Sequence, residues 1–453
     1  MAGPTSVSSS QATSIRIEKV RDVVINLSTK IFTVGHMEQQ QVRDHDCGPL
    51  EESAITGPSH CGLDSGTIRK AAHAFAVVFN FDGSGKQVTA AMMGETRQEL
   101  NKTCKVTIYI AKNGGTATED NNLRKALLHY FNELPNGMIS KKKRKLIFRL
   151  CSRKTKTDIR QYREEPLRLA LHALRRWPKE DASIRPIANG IARLLQGILN
   201  CYSEAKVLQK QSSLLGRIWS WMEKNKTNLG IFRGMLLESP DLGESDINNV
   251  NNCLYLLEDL CRLHRALKEF ENLKSKLLKT KTTVSIYFVR PQPSNARYID
   301  KAVREQLDSS RLSNTTAVPL PLPPNALGTL PDIHCEVQLL THFYGLSTNK
   351  KSNMWSYIAC SKLPCFCCYH ILDKDGHFKT EQSHCRVYSS WRVPKKLETT
   401  ARAQLTTGPS SNIVNALRYL REKLDIRIDR AYAGHSWEEG EALCQNPRDI
   451  YII

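Results

Sequence analysis

The feature that most constrains this chain is a pair of short motifs in its C-terminal third. The first is His334-Cys335-Glu336, and the second, further along the chain, is Pro364-Cys365-Phe366-Cys367-Cys368. An imidazole and two thiols are ligands that zinc prefers, and three protein ligands leave the fourth position of a tetrahedral ion open to solvent. The spacing therefore predicts one Zn²⁺ ion of the catalytic kind, held by His334, Cys365 and Cys368.

Local propensities place both motifs at the starts of helices. Asp332 is a capping residue type, and the apolar spacing after it predicts a helix that begins at about His334. Pro364 suits the first position of a second helix, which would put Cys365 and Cys368 on one face of its first turn. The positive end of a helix lowers thiol pKa values and so favours the thiolates that zinc binds.

Strand-like runs alternate with these helices. The aromatic and β-branched run 354–360 predicts a buried strand between them. Asp375-Gly376 predicts a turn, and residues 385–388 begin another strand-like run. Helix, strand, helix and strand with short links make an α/β layer architecture. Both motif-bearing helix starts would then lie at the same edge of the sheet.

Residues 331–393 resemble the catalytic core of the cytidine-deaminase-like superfamily, and most of all the deaminase-like proteins expanded in fungi. The resemblance rests on the sequences of residues 334–340 and 357–368. They contain H-x-E followed by P-C-x-x-C, which is the signature of zinc-dependent base deaminases. The resemblance implies that His334, Cys365 and Cys368 bind zinc. It also implies that Glu336 transfers protons during hydrolytic deamination of a base or nucleotide.

Glu336 suits that chemistry on physical grounds. Zinc lowers the pKa of bound water toward neutrality, and attack on an amidine-like ring carbon also needs a nearby acid. A glutamate two residues from His334, at a helix start, can reach both the water and the leaving group. The alternative is a first-turn carboxylate that is favoured only by the helix dipole.

Other cysteines near the motifs leave alternatives open. Cys335 stands where a small apolar residue is more usual in the superfamily, and Cys367 has the wrong spacing for the ligand face. Cys360 ends the predicted strand and is either a packing residue or a substitute ligand. A competing hypothesis is a structural zinc knot in which His334 takes no part. Its ligands would be Cys360, Cys365, Cys368 and Cys385.

Composition indicates the broader class. A chain of 453 residues usually divides into two or three domains. Its 14 cysteines, with no secretory leader, favour a reducing intracellular compartment, either the nucleus or the cytoplasm. No apolar run approaches the roughly 18–20 residues that a membrane-spanning helix needs, so we expect no membrane association.

The net charge of +20 is unevenly distributed. Residues 141–233 carry 23 Lys and Arg against 7 Asp and Glu, and the block begins with Lys141-Lys142-Lys143-Arg144-Lys145. Such a run is a nuclear-import tag, a phosphate-contacting patch or a solvated linker. Basic positions in the helices that follow favour a polyanionic partner. We therefore expect a nucleic acid or nucleotide substrate, and no protein partner is indicated.

The N-terminal part predicts strands of its own. Residues 74–81 and 87–93 have the pattern of a hairpin, and residues 104–111 add a third strand. These strands could open the deaminase sheet, but the strand-like run 283–290 lies closer in sequence, and short connections are the rule. We therefore expect 283–290 to be the first strand of that sheet and the N-terminal strands to form a separate unit.

The fold predicted is α/β, with a C-terminal three-layer α/β/α domain like that of the cytidine deaminases. A mostly helical middle region and a small N-terminal α+β unit precede it. The expected divisions are a disordered tail 1–15, the N-terminal unit 16–140, a basic helical region 141–280, the deaminase-like zinc domain 281–430 and a C-terminal tail 431–453.

The function expected is zinc-dependent hydrolytic deamination of a nucleobase in a nucleotide or nucleic acid, with Glu336 as the catalytic residue. Trp355, Tyr357 and Phe366 could each stack on the base or belong to the core. The alternative is a catalytically silent deaminase-fold module that binds nucleic acid or a protein partner.

Overall fold

The structure is a computed structural model, and helices make up most of it. It describes residues 22–31, 50–80, 88–98, 103–133, 164–177, 185–202, 208–239, 242–291, 333–388, 391–407 and 412–432. The predicted tail 1–15, the basic run 141–145, Asp332 and residues 433–453 lie outside the described residues.

The described elements are four strands and thirteen α-helices, with a short 3-10 helix at Glu52–Ala54. The strands are β1 Thr89–Gln98, β2 Thr103–Lys112, β3 Thr283–Phe288 and β4 Met354–Cys360. The helices are α1 (residues 22–31), α2 Ser65–Phe79, α3 Thr118–Glu133, α4 Glu164–Arg176, α5 Arg185–Tyr202, α6 Leu208–Lys224, α7 Lys226–Leu237, α8 Glu244–Lys279, α9 Cys335–Tyr344, α10 Thr348–Lys351, α11 Phe366–Asp375, α12 Lys395–Thr407 and α13 Asn412–Tyr432.

The four strands form one mixed sheet in the order β3-β2-β1-β4. β1 pairs antiparallel with both β2 and β4, and β3 lies parallel to β2 at the edge. The expectation of a separate N-terminal unit is therefore wrong, because β1 and β2 are the central strands of the sheet that contains β4. The run 283–290 lies in the same sheet, as β3, where it pairs with β2. Its closeness in sequence to α9 therefore did not determine which strand it pairs with.

Residues 74–81 were expected to form a strand, but 74–79 are the end of helix α2. Residues 74–79 are all buried, so the C-terminal half of this helix is apolar on every side. A buried helix of this kind loses the 3.6-residue periodicity that separates it from a strand. The hairpin is instead β1 with β2, in register from Thr89 opposite Lys112.

Helices cover both faces of the sheet, as a three-layer α/β/α domain requires. One face carries Ala90, Met92 and Ile358 into a core shared with α1, α9, α11, α12 and α13. On the other face, the Tyr357 hydroxyl donates to Glu381 at 2.6 Å. Arg69 of α2 pairs with the same carboxylate at 2.8 Å, so α2 lies on that face.

The chain divides into two compact units. The first comprises Met1–Ala76, Gly85–Thr118 and Lys276–Ile453, and it contains the whole sheet. The second comprises Val77–Ser84 and Glu119–Ser275. Its helices bury leucine-rich stripes, which confirms the expected helical middle region. None of the described helices combines the length and the apolar character that crossing a bilayer demands.

Candidate metal centre

The first motif lies where α9 begins. His334 is the N-cap residue, and its side chain makes no capping hydrogen bond. The first N–H groups of a helix have no partner within it, and here the N–H of Cys335 donates to Oδ1 of Asn113 at 2.7 Å. Nε2 of Gln338 donates to the carbonyl oxygen of Lys112 at 3.2 Å. The end of β2 therefore holds the start of α9 in place.

The second motif lies where α11 begins, and the helix starts at Phe366, two residues later than expected. Cys365 is the N-cap residue, and its Sγ accepts a hydrogen bond from the N–H of Cys368 at 3.4 Å. Pro364 precedes the cap instead of taking the first helical position. The N–H of Phe366 donates to the carbonyl oxygen of Arg386 at 3.1 Å. The cap geometry brings the two thiols of the motif together at the positive end of the helix.

The two helix starts bring three potential ligands together. Nδ1 of His334 lies 3.3 Å from Sγ of Cys365 and 3.5 Å from Sγ of Cys368. All three side chains are buried, and their ligand atoms lie within 4.8 Å of one another. Zinc bonds of about 2.0–2.3 Å in a tetrahedron separate ligand atoms by roughly 3.3–3.8 Å. The arrangement is therefore compatible with zinc, and the assignment of these residues as its ligands stays a prediction.

The charges at the thiols also suit a divalent cation. Burial raises the pKa of Cys365, but hydrogen bonds involving Cys367 and Cys368 and the nearby His334 ring outweigh it and hold this pKa well below its usual value. Burial and the neighbouring Cys365 raise the pKa of Cys368. Two thiolates this close repel each other, and a divalent cation bound to both would offset that repulsion.

Trp391 is a residue of this centre that the sequence did not reveal. Its ring is fully buried, and its Nε1 donates to Sγ of Cys368 at 3.3 Å. Hydrogen bonds of this kind orient a ligand and stabilise the negative charge on it. No spacing rule joins Trp391 to the cysteine motif, because the two meet only through tertiary packing.

Glu336 lies beside the three clustered side chains and outside their group. Its carboxylate is buried, with the residue 2% exposed, and Sγ of Cys335 donates to its Oε2 at 3.4 Å. Burial and the charge of Glu336 together raise the pKa values of Cys335 and Cys360 well above normal. Both thiols are therefore neutral neighbours of the carboxylate. The catalytic role of Glu336 stays a prediction, but its position matches it.

The remaining cysteines do not join the cluster. Among the described residues, the group close enough to hold a metal consists of His334, Cys365 and Cys368. Cys360 borders Glu336, and Sγ of Cys385 points to the carbonyl oxygen of Ser383 at 3.7 Å. The described residues therefore do not form the four-cysteine knot, which also required His334 to stand apart.

The strand-like run 385–388 is not a strand. Cys385 has a φ of 60°, a left-handed conformation that a β-strand cannot contain. The extended chain after α11 instead touches β4 through one isolated bridge between Tyr357 and Lys379. The turn expected at Asp375-Gly376 is present, with Gly376 at φ 78° as the C-cap of α11.

Of the two roles open to Trp355, Tyr357 and Phe366, stacking on a base or packing in the core, the structure shows the second. Trp355, Tyr357 and Phe366 are buried, because they lie on β4 and at the covered start of α11. Tyr388 is exposed instead, at 41%, and its ring centre lies 5.5 Å from that of His334. His384 makes a second ring contact with Tyr388 at 5.7 Å. The exposed aromatic surface at this centre thus belongs to Tyr388.

Comparison with known proteins supports the geometry. Residues 333–395 match the family model described as "OTT_1508_deam:-like deaminase". The matched segment contains α9, β4, α11 and Trp391, and so every side chain placed at the candidate metal centre. Neither the curated proteins nor the solved structures contain a significant match to this chain.

Proposed function

We propose that this protein is a zinc-dependent hydrolytic deaminase of a nucleobase, because residues 333–395 match a deaminase-like family model. One observation carries the proposal. Three buried side chains of metal-binding type converge within 4.8 Å, and a carboxylate that is not one of them lies beside them. Three ligands and a free carboxylate are what hydrolytic zinc chemistry requires.

One group of residues would hold the metal, and Glu336 would transfer the protons. His334, Cys365 and Cys368 would hold the ion, and Trp391 would fix the orientation and charge of Cys368. When bound, zinc acts as a Lewis acid and lowers the pKa of water toward neutrality. Tyr388 is exposed beside His334, and the ring of a substrate bound there would contact this aromatic face.

Glu336 would move the protons of the reaction. Hydrolytic deamination adds water to a ring carbon, protonates the adjacent ring nitrogen and releases the amino group as ammonia, leaving a carbonyl. The carboxylate would accept a proton from water and pass it to the ring nitrogen and then to the departing amine. Burial and the neighbouring Glu336 raise the pKa values of Cys335 and Cys360, so these two thiols would stay neutral and would not compete with Glu336 for this role.

A buried carboxylate favours an enzyme over a silent module. Burial of an ionised group is costly unless it is paired, and Glu336 has thiol neighbours and no cation among the contacts described for it. A metal site that only stabilises the fold would gain nothing from that cost. The alternative, a catalytically silent module that binds nucleic acid or a protein partner, explains Glu336 only as a first-turn carboxylate favoured by the helix dipole.

We propose a nucleotide or nucleic acid as the substrate, inside the nucleus or the cytoplasm. The support is the net charge of +20, because phosphate contacts dominate the affinity of proteins for nucleic acids. A free nucleobase or nucleoside offers no phosphate to that charge. The identity of the base is left to experiment.

The test combines metal content with ammonia release. Wild-type protein and Glu336→Gln are assayed for zinc and for ammonia over cytosine- and adenine-bearing nucleotides and single strands. We expect about one zinc in both proteins, and ammonia from the wild type only, with Glu336→Gln slower by at least about 100-fold.

Glu95→Gln is the matched control. Glu95 is equally buried but lies on β1, where it accepts hydrogen bonds from the Cys61 N–H and Trp355 Nε1. This variant should keep its activity while it loses stability. Zinc without ammonia from any substrate would overturn the deaminase assignment in favour of the silent module.

A further inference from the structure

A groove lies on the sheet where α9 ends. This helix has 10 residues and so spans about 15 Å, whereas β1 and β2, also of 10 residues each, span about 33 Å. α9 therefore covers only part of the length of these two strands. The part of the sheet face beyond Tyr344 is left partly open, and it forms a cavity of about 540 Å³.

Aromatic rings make up the floor of this cavity. Tyr109 of β2 and Tyr287 of β3 are register partners, and their rings stack with centres 5.9 Å apart at 27°. The ring of His342 packs on Tyr109 with centres 4.9 Å apart. Tyr109 is half-buried between these neighbours, while Tyr287 is 46% exposed. We call this surface, together with Lys105 and Lys350, which also line the cavity, the tyrosine groove.

The charge of the tyrosine groove has one sign. Lys105 of β2 and Lys350 of α10 line it, and no Asp or Glu is among the described residues that do. Burial lowers the pKa of His342, and the charges of Lys396 and Lys350 lower it further. His342 is therefore a neutral ring among cations. Its Nε2 has no hydrogen-bond partner among the described residues.

We propose that the tyrosine groove binds a nucleotide of single-stranded nucleic acid, with the base on Tyr287 and phosphates on Lys105 and Lys350. Stacking aromatics combined with a basic groove are how proteins bind single strands without reading sequence. A volume of about 540 Å³ is of the size that ligand sites have. Duplexes keep their bases stacked inside, and an acidic peptide would leave the tyrosine face without a partner.

The groove is separate from the candidate metal centre. His342 and His334 lie at opposite ends of α9, eight residues and so about 12 Å apart along its axis. A strand a few nucleotides long spans such a distance, so one single strand can contact both places. The proposal goes beyond the deaminase assignment, because binding in the groove needs no turnover.

Binding of a fluorescently labelled 12-nucleotide single strand tests the proposal, measured by anisotropy on the full chain. All proteins carry Glu336→Gln so that no substrate is consumed. We expect Tyr287→Ala to weaken binding about 5- to 100-fold, and Tyr287→Phe, which keeps the ring, to stay within about twofold. A thermal melt of each variant shows whether it is folded.

Salt dependence supplies a second readout that does not depend on the packing of Tyr287. Lys350 is exposed, so Lys350→Ala leaves the fold intact and removes one phosphate contact. The slope of log affinity against log salt should then fall by about 0.7. Lys70→Ala is the matched control, because Lys70 is also exposed but lies on α2, on the other face of the sheet.

Three results would overturn the inference: unchanged binding by Tyr287→Ala and Lys350→Ala, equal affinity for a duplex, or equal affinity for a mononucleotide. Failure here and failure of the deaminase assignment are distinguishable. If binding depends on Tyr287 but the wild type releases no ammonia, the groove proposal stands and the deaminase assignment fails. If the wild type releases ammonia but binding does not depend on Tyr287, the deaminase assignment stands and the groove proposal fails.

Discussion

The indole Nε1 of Trp391 donates a hydrogen bond to Sγ of Cys368 at 3.3 Å. Trp391 thereby joins the chain beyond α11 to one of the three side chains that converge at the candidate metal centre. Such outer contacts hold the ligands of a metal in orientation, and losing one typically weakens metal binding about 10- to 100-fold.

Trp391→Phe should lower zinc affinity about 10- to 100-fold, because it removes the donor to Cys368 while it keeps a large buried ring. Competition with a chromophoric chelator measures the affinity. Trp355→Phe is the matched control, since it also removes a buried indole donor, the one that reaches Glu95 at 2.9 Å. If both variants bind zinc equally, Trp391 has no role at the metal.

Cys365→Ser should abolish stoichiometric zinc binding, whereas Cys360→Ser should retain about one zinc per chain. The reason is geometric, because Cys365 lies 3.3 Å from His334 and Cys360 is outside the cluster. Elemental analysis of the purified proteins gives the stoichiometry, and circular dichroism reports their folding. The opposite pattern, with zinc lost from Cys360→Ser and kept by His334→Ala, would restore the four-cysteine knot.

Asn113→Ala should cost about 1 kcal/mol of the free energy of unfolding, because the N–H of Cys335 loses its acceptor at the start of α9. It should also weaken zinc binding, since His334 is the residue just before that N–H. Urea unfolding and chelator competition measure the two effects. Asn113→Asp keeps an acceptor at a helix N-terminus and should be close to wild type; equal losses in both variants would contradict the capping role.

Glu381→Gln should lower the free energy of unfolding by about 1–3 kcal/mol at neutral pH, because hydrogen bonds to a charged group are lost. Burial opposes ionisation of Glu381, but hydrogen bonds from Arg69 and Tyr357 hold its pKa below the usual 4.5. A lowered folded-state pKa gives stability that is present above the unfolded value and is lost as the pH falls through the folded value.

The difference between wild type and Glu381→Gln should therefore be full at pH 7 and shrink as the pH drops below 4.5. Urea melts across that range measure it. Glu164→Gln is the control, because both side chains of the Glu164–Arg168 pair are exposed. Exposed ion pairs contribute little to the free energy of unfolding. A difference that grows in acid would show that the sign of the Glu381 shift is wrong.

The parts of the site that could be predicted from sequence are those that local rules control. Helix spacing places Cys365 and Cys368 together and predicts the start of α9 to within one residue of Cys335. The neighbours that tertiary packing supplies could not be predicted. Trp391 reaches the centre, and Asn113 reaches the start of α9, from other parts of the chain, and no periodic pattern marks either residue. The exposure of Tyr388 and the burial of Trp355, Tyr357 and Phe366 could not be predicted either, because burial is a property of the whole fold.

The sheet shows the same division. Alternation and β-branched content predict that residues 104–111 and 354–360 are strands, and both are. Which strand pairs with which depends on faces that many helices bury together, so the rule of short connections misplaced β3. Helix α2 was missed for a related reason, since its burial on nearly all sides removes the amphipathic signal.

The pairing of β4 with β1 has a consequence for how the molecule is assembled. Residues 333–395 include every side chain of the candidate metal centre, yet their one strand takes its hydrogen bonds from β1, far upstream. An excised segment would present an open strand edge, the template on which chains aggregate. During synthesis α9 and α11 emerge after the strands β1 and β2, so the candidate metal centre can form only late. It also depends on contacts between residues far apart in sequence, and folds that depend on such contacts form slowly.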